Sequence, residues 1–393
     1  MNKAQAGAGT KEPSGDEGRR VGWLELFLDL VFVALAAQLS HQLHGTPDLA
    51  DFGVFLALYF PPWWMWVNLM AAANLALEDS ARRRFLMLCA MLCLGVMAAA
   101  VPDAAGDRGW AYAVGYAGTR LVLLGLWWPS TRLPEPRRTP RWRLLSYCLV
   151  FATLWGASAI VPTPWRYGVW AFLIVAEMVL LLGARDRGIT GQVDAGHLVE
   201  RVGLFIIIVL GESVIALVSS VDHSWNMQSG AVALLGFVLL AALWWSYFDF
   251  GSTAAELVLS EATGGKRYLL ARDVGGYLHF FVTAAILIMS AGLATAVEEA
   301  GHAHLPSGAI LALVGGLALY QAALAAIALR FGRRLRSVAV WAVPGIAIPV
   351  VVGIAGRVLA PWVLLVLIAA EVVGRLVIVR HFGQRDGSSS PIG

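Results

Sequence analysis

Residues 23–43 read WLELFLDLVFVALAAQLSHQL, and this run decides the fold class. At about 1.5 Å of rise per residue, a helix of that length just crosses a hydrocarbon core roughly 30 Å thick. Glu25 and Asp29, four residues apart, interrupt the apolar pattern on one helix face. The apolar core of a secretory leader is about 7–15 residues long; this run is longer and is read as a retained first span. Residues 1–22 before it are polar and Gly-rich, and are read as a mobile tail.

The rest of the chain repeats that pattern. Of 393 residues, 59% are hydrophobic and only 14% charged, against about 25% charged in soluble domains. A soluble chain could not bury so much apolar surface. Soluble enzymes, secreted disulfide scaffolds and nucleic-acid binders are therefore excluded. Cys89, Cys93 and Cys148 form neither a disulfide framework nor a zinc spacing, and read as small buried hydrophobes. Runs bounded by charge or turn residues place twelve spans: 23–43, 50–76, 85–102, 109–129, 142–161, 165–184, 198–220, 229–249, 268–297, 307–330, 338–356 and 361–381. Pro61-Pro62 and Pro344 with Pro349 are expected to kink or break the second and eleventh, because proline removes an internal hydrogen bond.

Lysine and arginine divide 23 to 3 between alternate connections. This is a strong positive-inside signal with both termini cytoplasmic, and an even number of spans agrees with it. At an offset of 181 residues, Arg20-Val21-Gly22 falls on Arg201-Val202-Gly203, Trp63-Trp64 on Trp244-Trp245, and Asn68 on Asp249. The expected architecture is an all-α integral membrane protein of two parallel six-helix repeats. Its expected parts are a tail (1–22), a first half (23–184), a connector (185–197), a second half (198–381) and a C-terminal tail (382–393). Halves related by an axis along the membrane normal hold transporter sites between them.

Two motifs carry a resemblance. The opening run resembles the E-L-F-x-D-L-x-F-V signature of the bacterial low-temperature-requirement A (LtrA) family. The stretch HLVERVGLFIIIVLGESVIALV at 197–218 is similar to that family's E-R-x-G-L-F followed by L-G-E-S, and His279 in YLHFF is a third likeness. The resemblance covers 20 to about 380. It implies a multi-pass protein of the bacterial inner membrane, loosely linked to growth in the cold, and brings no settled substrate or reaction.

Ionisable groups inside a bilayer are costly and are functional candidates. Counting along each span puts Arg120, Glu177, His279 and Glu371 near the midplane and Glu212 at or just past it. Glu25 and Asp29 lie shallower, and Asp249, like Asn68, near the cytoplasmic end of its span. His197, Glu200 and Arg201 are expected at the cytoplasmic mouth, as solvated interface charges. Arg120 is expected to reach Glu25, Asp29 or Glu177. A structural pairing explains one glutamate, but three deep glutamates and a histidine exceed that single cation. Such a surplus is what proton relays use, and Glu212, beside Gly211 and Ser213, is the sharpest candidate for a central site.

Other chemistry is excluded by what the residues lack. Lys3, Lys11 and Lys266 lie outside the spans, which leaves no intramembrane Schiff-base lysine. No phosphate-binding loop is present, and His197-x-x-Glu200 reverses the di-iron order. No catalytic residue, metal or cofactor is expected. The expected partners are membrane lipids and a small-molecule or ion substrate, and a homo-oligomer is compatible. The leading expectation is a secondary transporter or ion-conducting protein. The alternatives are an intramembrane lipid-binding protein or enzyme with a lipid-soluble substrate, and a structural envelope protein.

Overall fold

The computed structural model describes residues 22–75, 80–134, 139–183 and 195–387, and among them every regular element is helical. Most of the expected N-terminal tail and connector, and residues 388–393, fall outside the described residues, as do Arg20 and Val21. The first half contains α1 (Trp23–His41), α2 (Leu49–Leu75), α3 (Ala81–Ala100), α4 (Gly109–Trp127), α5 (Arg141–Leu145), α6 (Phe151–Ser158) and α7 (Trp165–Gly183). The second contains α8 (Ala195–His223), α9 (Met227–Ser246), α10 (Thr253–Glu261), α11 (Gly264–Leu270), α12 (His279–Glu298), α13 (Ser307–Arg330), α14 (Leu335–Ala355) and α15 (Pro361–Gly387).

Eight helical segments among the described residues are long and apolar enough to cross a membrane: α1, α2, α3, α8, α9, the continuous run Gly264–Glu298, α13 and α14. The helices outside that set include α4, α7 and α15, whose middles carry Arg120, Glu177 and Glu371. Among the described residues three π-helical segments interrupt the ladder, at Ser146–Val150, Tyr247–Ser252 and Ala271–Leu278.

The core sits around α12. Of residues 279–297 only Phe281 is exposed, and α12 packs on α1, α2, α8, α9 and α13. Helices α1 and α2 and the turn between them are pinned to the π-to-α12 stretch by four hydrogen bonds: Ser40 Oγ to the Leu287 carbonyl (2.9 Å), the Gly45 amide to Thr295 Oγ1 (2.9 Å), Tyr59 to Thr283 Oγ1 (2.9 Å) and Trp63 Nε1 to the Gly276 carbonyl (2.7 Å). Gly292 and Gly316 make the α12–α13 approach possible, since a Cβ on either would lie under 3.0 Å from backbone of the facing helix. In the first half α1 packs on α2 and α3, α3 on α4, α4 on α6, α6 on α7 and α2 on α7. In the second α8 packs on α9 and α12, α12 on α13, α13 on α14, α14 on α15 and α9 on α15.

The prolines do not break their helices: α2 runs through Pro61 and Pro62, and α14 through Pro344 and Pro349. Pro62 has no N–H for the carbonyl of Leu58, and the hydroxyl of Tyr112 on α4 donates to that carbonyl instead. This is the rescue of a freed backbone group that hydrocarbon demands. Tyr112→Phe leaves the Leu58 carbonyl buried and unpartnered, and is expected to destabilise the protein by about 1–3 kcal/mol. Thermal unfolding in detergent checks this; an unchanged midpoint would show that the carbonyl needs no partner.

Candidate functional site

The first two turns of α1 and α8 and the first turn of α3 bring five charged or titratable side chains together where α1 meets α8. Asp29 is fully buried, and Arg201 is 1% exposed. Arg201 grips Asp29 with two parallel bonds, Nη1 to Oδ2 and Nη2 to Oδ1, both 2.8 Å, while Trp66 Nε1 donates to Oδ1 at 2.7 Å. Glu25 lies beside them, with Arg83 Nη2 at 3.3 Å from Oε1 and His197 Nε2 and Arg201 Nε at 3.7 and 3.8 Å from Oε2. Those last two separations exceed hydrogen-bond length, and Glu25 Oε2 accepts no hydrogen bond among the described residues. The first turn of α1 suits Glu25, because the helix N-terminus favours negative charge.

An aromatic plug closes the cluster on its apolar side. Phe205, one turn beyond Arg201, packs edge-on or tilted against Trp66 (4.4 Å), Phe32 (5.1 Å) and Trp63 (5.7 Å). His197 and Arg201 are thus buried, whereas the sequence placed them at a solvated mouth. Depth along a span does not reveal that α1 and α2 cover this turn from the side. Glu200, on the opposite face of the same turn, is exposed. Sequence reasoning missed Arg83 and Trp66. Arg83 stood in a cytoplasmic charge run, and Trp66 is marked only by lying one turn from Trp63.

The deeper groups separate into pairs. Arg120, fully buried, forms an ion pair with Glu177 on α7, whereas Glu25 and Asp29 go to Arg201. Tyr116 and Tyr147 donate to the two Glu177 oxygens at 3.0 and 3.1 Å. The Arg120 guanidinium lies 4.7, 5.1 and 5.4 Å from the rings of Tyr147, Tyr116 and Phe151. In the second half Glu371 pairs with Arg375 one turn along the same helix (3.0 Å), and Arg375 Nη1 donates to Gln321 Oε1 on α13 (2.7 Å). Arg375 therefore removes one glutamate from the surplus that Arg120 alone could not match.

His279 is saturated by hydrogen bonds. Its Nδ1 lies 2.7 Å from the Val274 carbonyl and its Nε2 2.8 Å from the Tyr247 hydroxyl. A carbonyl only accepts, so the proton sits on Nδ1 and Nε2 accepts from Tyr247. Asp249 is exposed and takes the indole N–H of Trp245 on its own helix. Trp244 and Trp245 are 46% and 45% exposed, while their offset partners Trp63 and Trp64 are buried against α12 and its preceding π segment. Glu212 is half-buried on the flank of α8's exposed face, and no side chain among the described residues pairs with it. Gly211 beside it is open, with nothing within 4 Å of the place a Cβ would take.

A cleft of about 920 Å³ separates α2 and α7 from the π segment, α12 and α13. Its walls are apolar except at one end, where Asp273 takes Arg272 and Arg330, each at 2.8 Å. The aromatic ring of Tyr277 lines it and stacks on Trp64 at 5.5 Å.

The sequence model of the family described as bacterial low temperature requirement A protein (LtrA) matches residues 20–376. That stretch contains the α1–α8 cluster and the Arg120–Glu177 and Glu371–Arg375 pairs. The chain is also similar to an uncharacterized protein of Rhizobium meliloti (strain 1021), 26% identical over 280 residues, which cover 68% of this chain and 67% of that protein.

Proposed function

The chain belongs to the bacterial low temperature requirement A family, and from that premise we propose that it is a secondary transporter or ion-conducting protein that moves protons or monovalent cations. The observation that carries this reading is the α1–α8 cluster. Two carboxylates, one guanidinium and an imidazole are buried at the joint between the halves, with the partly exposed Arg83 guanidinium beside them, and a relative movement of the halves would have to part Asp29 from Arg201. Buried charges in a membrane protein mark ion pathways, and packed interfaces switch between discrete arrangements. Glu25, with one oxygen lacking a hydrogen bond among the described residues, is the cluster's free acceptor. Glu212, about eleven residues deeper on α8 and so roughly 16 Å away along its axis, is the carboxyl that receives the cation.

The same proposal includes twelve spans in two parallel repeats, with both termini cytoplasmic, in the inner membrane. The helix order supports it, because first-on-second, first-on-third, third-on-fourth, fourth-on-fifth, fifth-on-sixth and second-on-sixth packing recurs in both halves. The sixth-span glutamates Glu177 and Glu371 support it as well. Glu177 pairs with Arg120 of the fourth span, and Glu371 pairs with Arg375 of its own span, which Gln321 of the tenth span reaches.

Glu212→Gln tests the assignment, since it keeps shape and hydrogen bonding while removing the charge. Because no side chain among the described residues pairs with Glu212, the variant is expected to fold as the parent does. In proteoliposomes it is expected to lose ion flux together with its pH dependence across pH 5.5–8, a range that brackets neutrality. Parental flux throughout that range would make Glu212 structural and return the role to Glu25 and Asp29. The apolar cleft favours a second reading, an intramembrane protein whose ligand is lipid-soluble.

A further inference from the structure

The cleft between the halves has the shape and charge of a lipid site. Its walls include Leu56, Phe60, Ile174, Met178, Phe281 and Leu329, drawn from four helices. Its volume of about 920 Å³ is at the upper end for sites that hold small organic ligands, roughly 300–1,000 Å³. Phe281, Val175 and Leu329 are exposed on its rim, so in a bilayer the cleft opens sideways to acyl chains. Polarity is confined to the end where α13 finishes. There one carboxylate is shared by two guanidiniums, Arg272 Nη2 on Oδ1 of Asp273 and Arg330 Nη2 on Oδ2, each at 2.8 Å.

That trio carries one net positive charge. Its side chains are 15%, 23% and 36% exposed for Arg272, Asp273 and Arg330, so a headgroup can reach it. Arg333 and Arg334 follow directly and are exposed, which adds to the positive potential at this end. The acidic partner is already engaged on both oxygens and offers little to a choline or ethanolamine cation. An anion meets two guanidiniums that bind phosphate well.

We propose that this cleft binds an anionic phospholipid of the arginine-rich leaflet, its phosphate at Arg272 and Arg330 and its acyl chain along the α2–α7 and α12–α13 walls. The proposal does not depend on what the protein transports.

The test is native mass spectrometry of delipidated protein in detergent, offered equimolar phosphatidylglycerol and phosphatidylcholine of equal chain length. The wild type is expected to retain phosphatidylglycerol in preference to phosphatidylcholine. Arg330→Gln should weaken that retention about fivefold, the effect of one basic side chain near a lipid headgroup. Its unfolding midpoint should stay unchanged, because Arg272 still satisfies Asp273. Arg336→Gln, on the exposed surface past α13, should retain phosphatidylglycerol as the wild type does. Equal retention of the two lipids by the wild type would overturn the proposal. So would an Arg336→Gln loss as large as that of Arg330→Gln, which would mean general attraction to a basic surface.

Discussion

Asp29→Asn is expected to destabilise the protein by about 3–5 kcal/mol, the cost of removing one partner from a buried ion pair. The reason lies in the geometry around Arg201, whose two terminal nitrogens both end on Asp29 at 2.8 Å. The asparagine amide keeps one acceptor but turns a donor toward one of those nitrogens. The remaining carboxylate, Glu25, stays at 3.8 Å from Nε. The guanidinium is then buried with too few acceptors, beside the Phe205, Trp66 and Phe32 rings. Asp29→Leu combined with Arg201→Met removes both charges and should lie much closer to the parent than either single change. Thermal unfolding of detergent-solubilised protein followed by size exclusion checks this as a double-mutant cycle. If the single and double variants unfold together, the pair does not hold the joint.

The second large effect is expected at Arg120. Arg120→Leu leaves the Glu177 carboxylate buried with only the hydroxyls of Tyr116 and Tyr147, and a loss of about 3–5 kcal/mol follows from the same rule. Arg120 Nε and Nη1 make no hydrogen bond among the described residues, so the pair is incompletely satisfied. Arg120→Leu with Glu177→Leu should therefore recover most of the loss. Glu177→Gln should cost less than Arg120→Leu, because the amide oxygen still accepts from one tyrosine. A Glu177→Gln variant less stable than Arg120→Leu would contradict this order.

Helix positions were legible in the sequence because the bilayer imposes a length and a composition, and the ends of α1, α2, α4 and α13 lie within about two residues of expectation. The Arg120–Glu177 pair was legible as one of three options, because a midplane guanidinium must find a carboxylate. The Arg201–Asp29 bond was not. Two residues from opposite halves met through lateral packing that no count along a helix encodes, and α8 begins at Ala195, placing Arg201 nearly two turns inside it. The Glu371–Arg375 pair stood in the sequence at the i, i+4 spacing, and counting cations only at the midplane hid it. The unbroken α2 turns on Tyr112, whose partner carbonyl lies 54 residues away.

The matched tryptophans show the limit of reading environment from a repeat. Trp63 and Trp64 on α2 meet α12 and its preceding π segment, whereas Trp244 and Trp245 on α9 are exposed, so the same dipeptide is buried once and exposed once. The offset predicts register, while burial depends on which helix crosses the seam.

Movement of protons or monovalent cations across a bilayer is the activity proposed for this chain, and it can be measured directly. Proteoliposomes loaded with a pH-sensitive dye and given an imposed pH gradient, in potassium or sodium buffer, test it without knowledge of any other substrate. Wild-type protein is expected to dissipate the gradient faster than protein-free liposomes in at least one buffer, and Glu212→Gln to return the rate to the protein-free value. Wild-type vesicles that dissipate it no faster than empty ones in either buffer would contradict it.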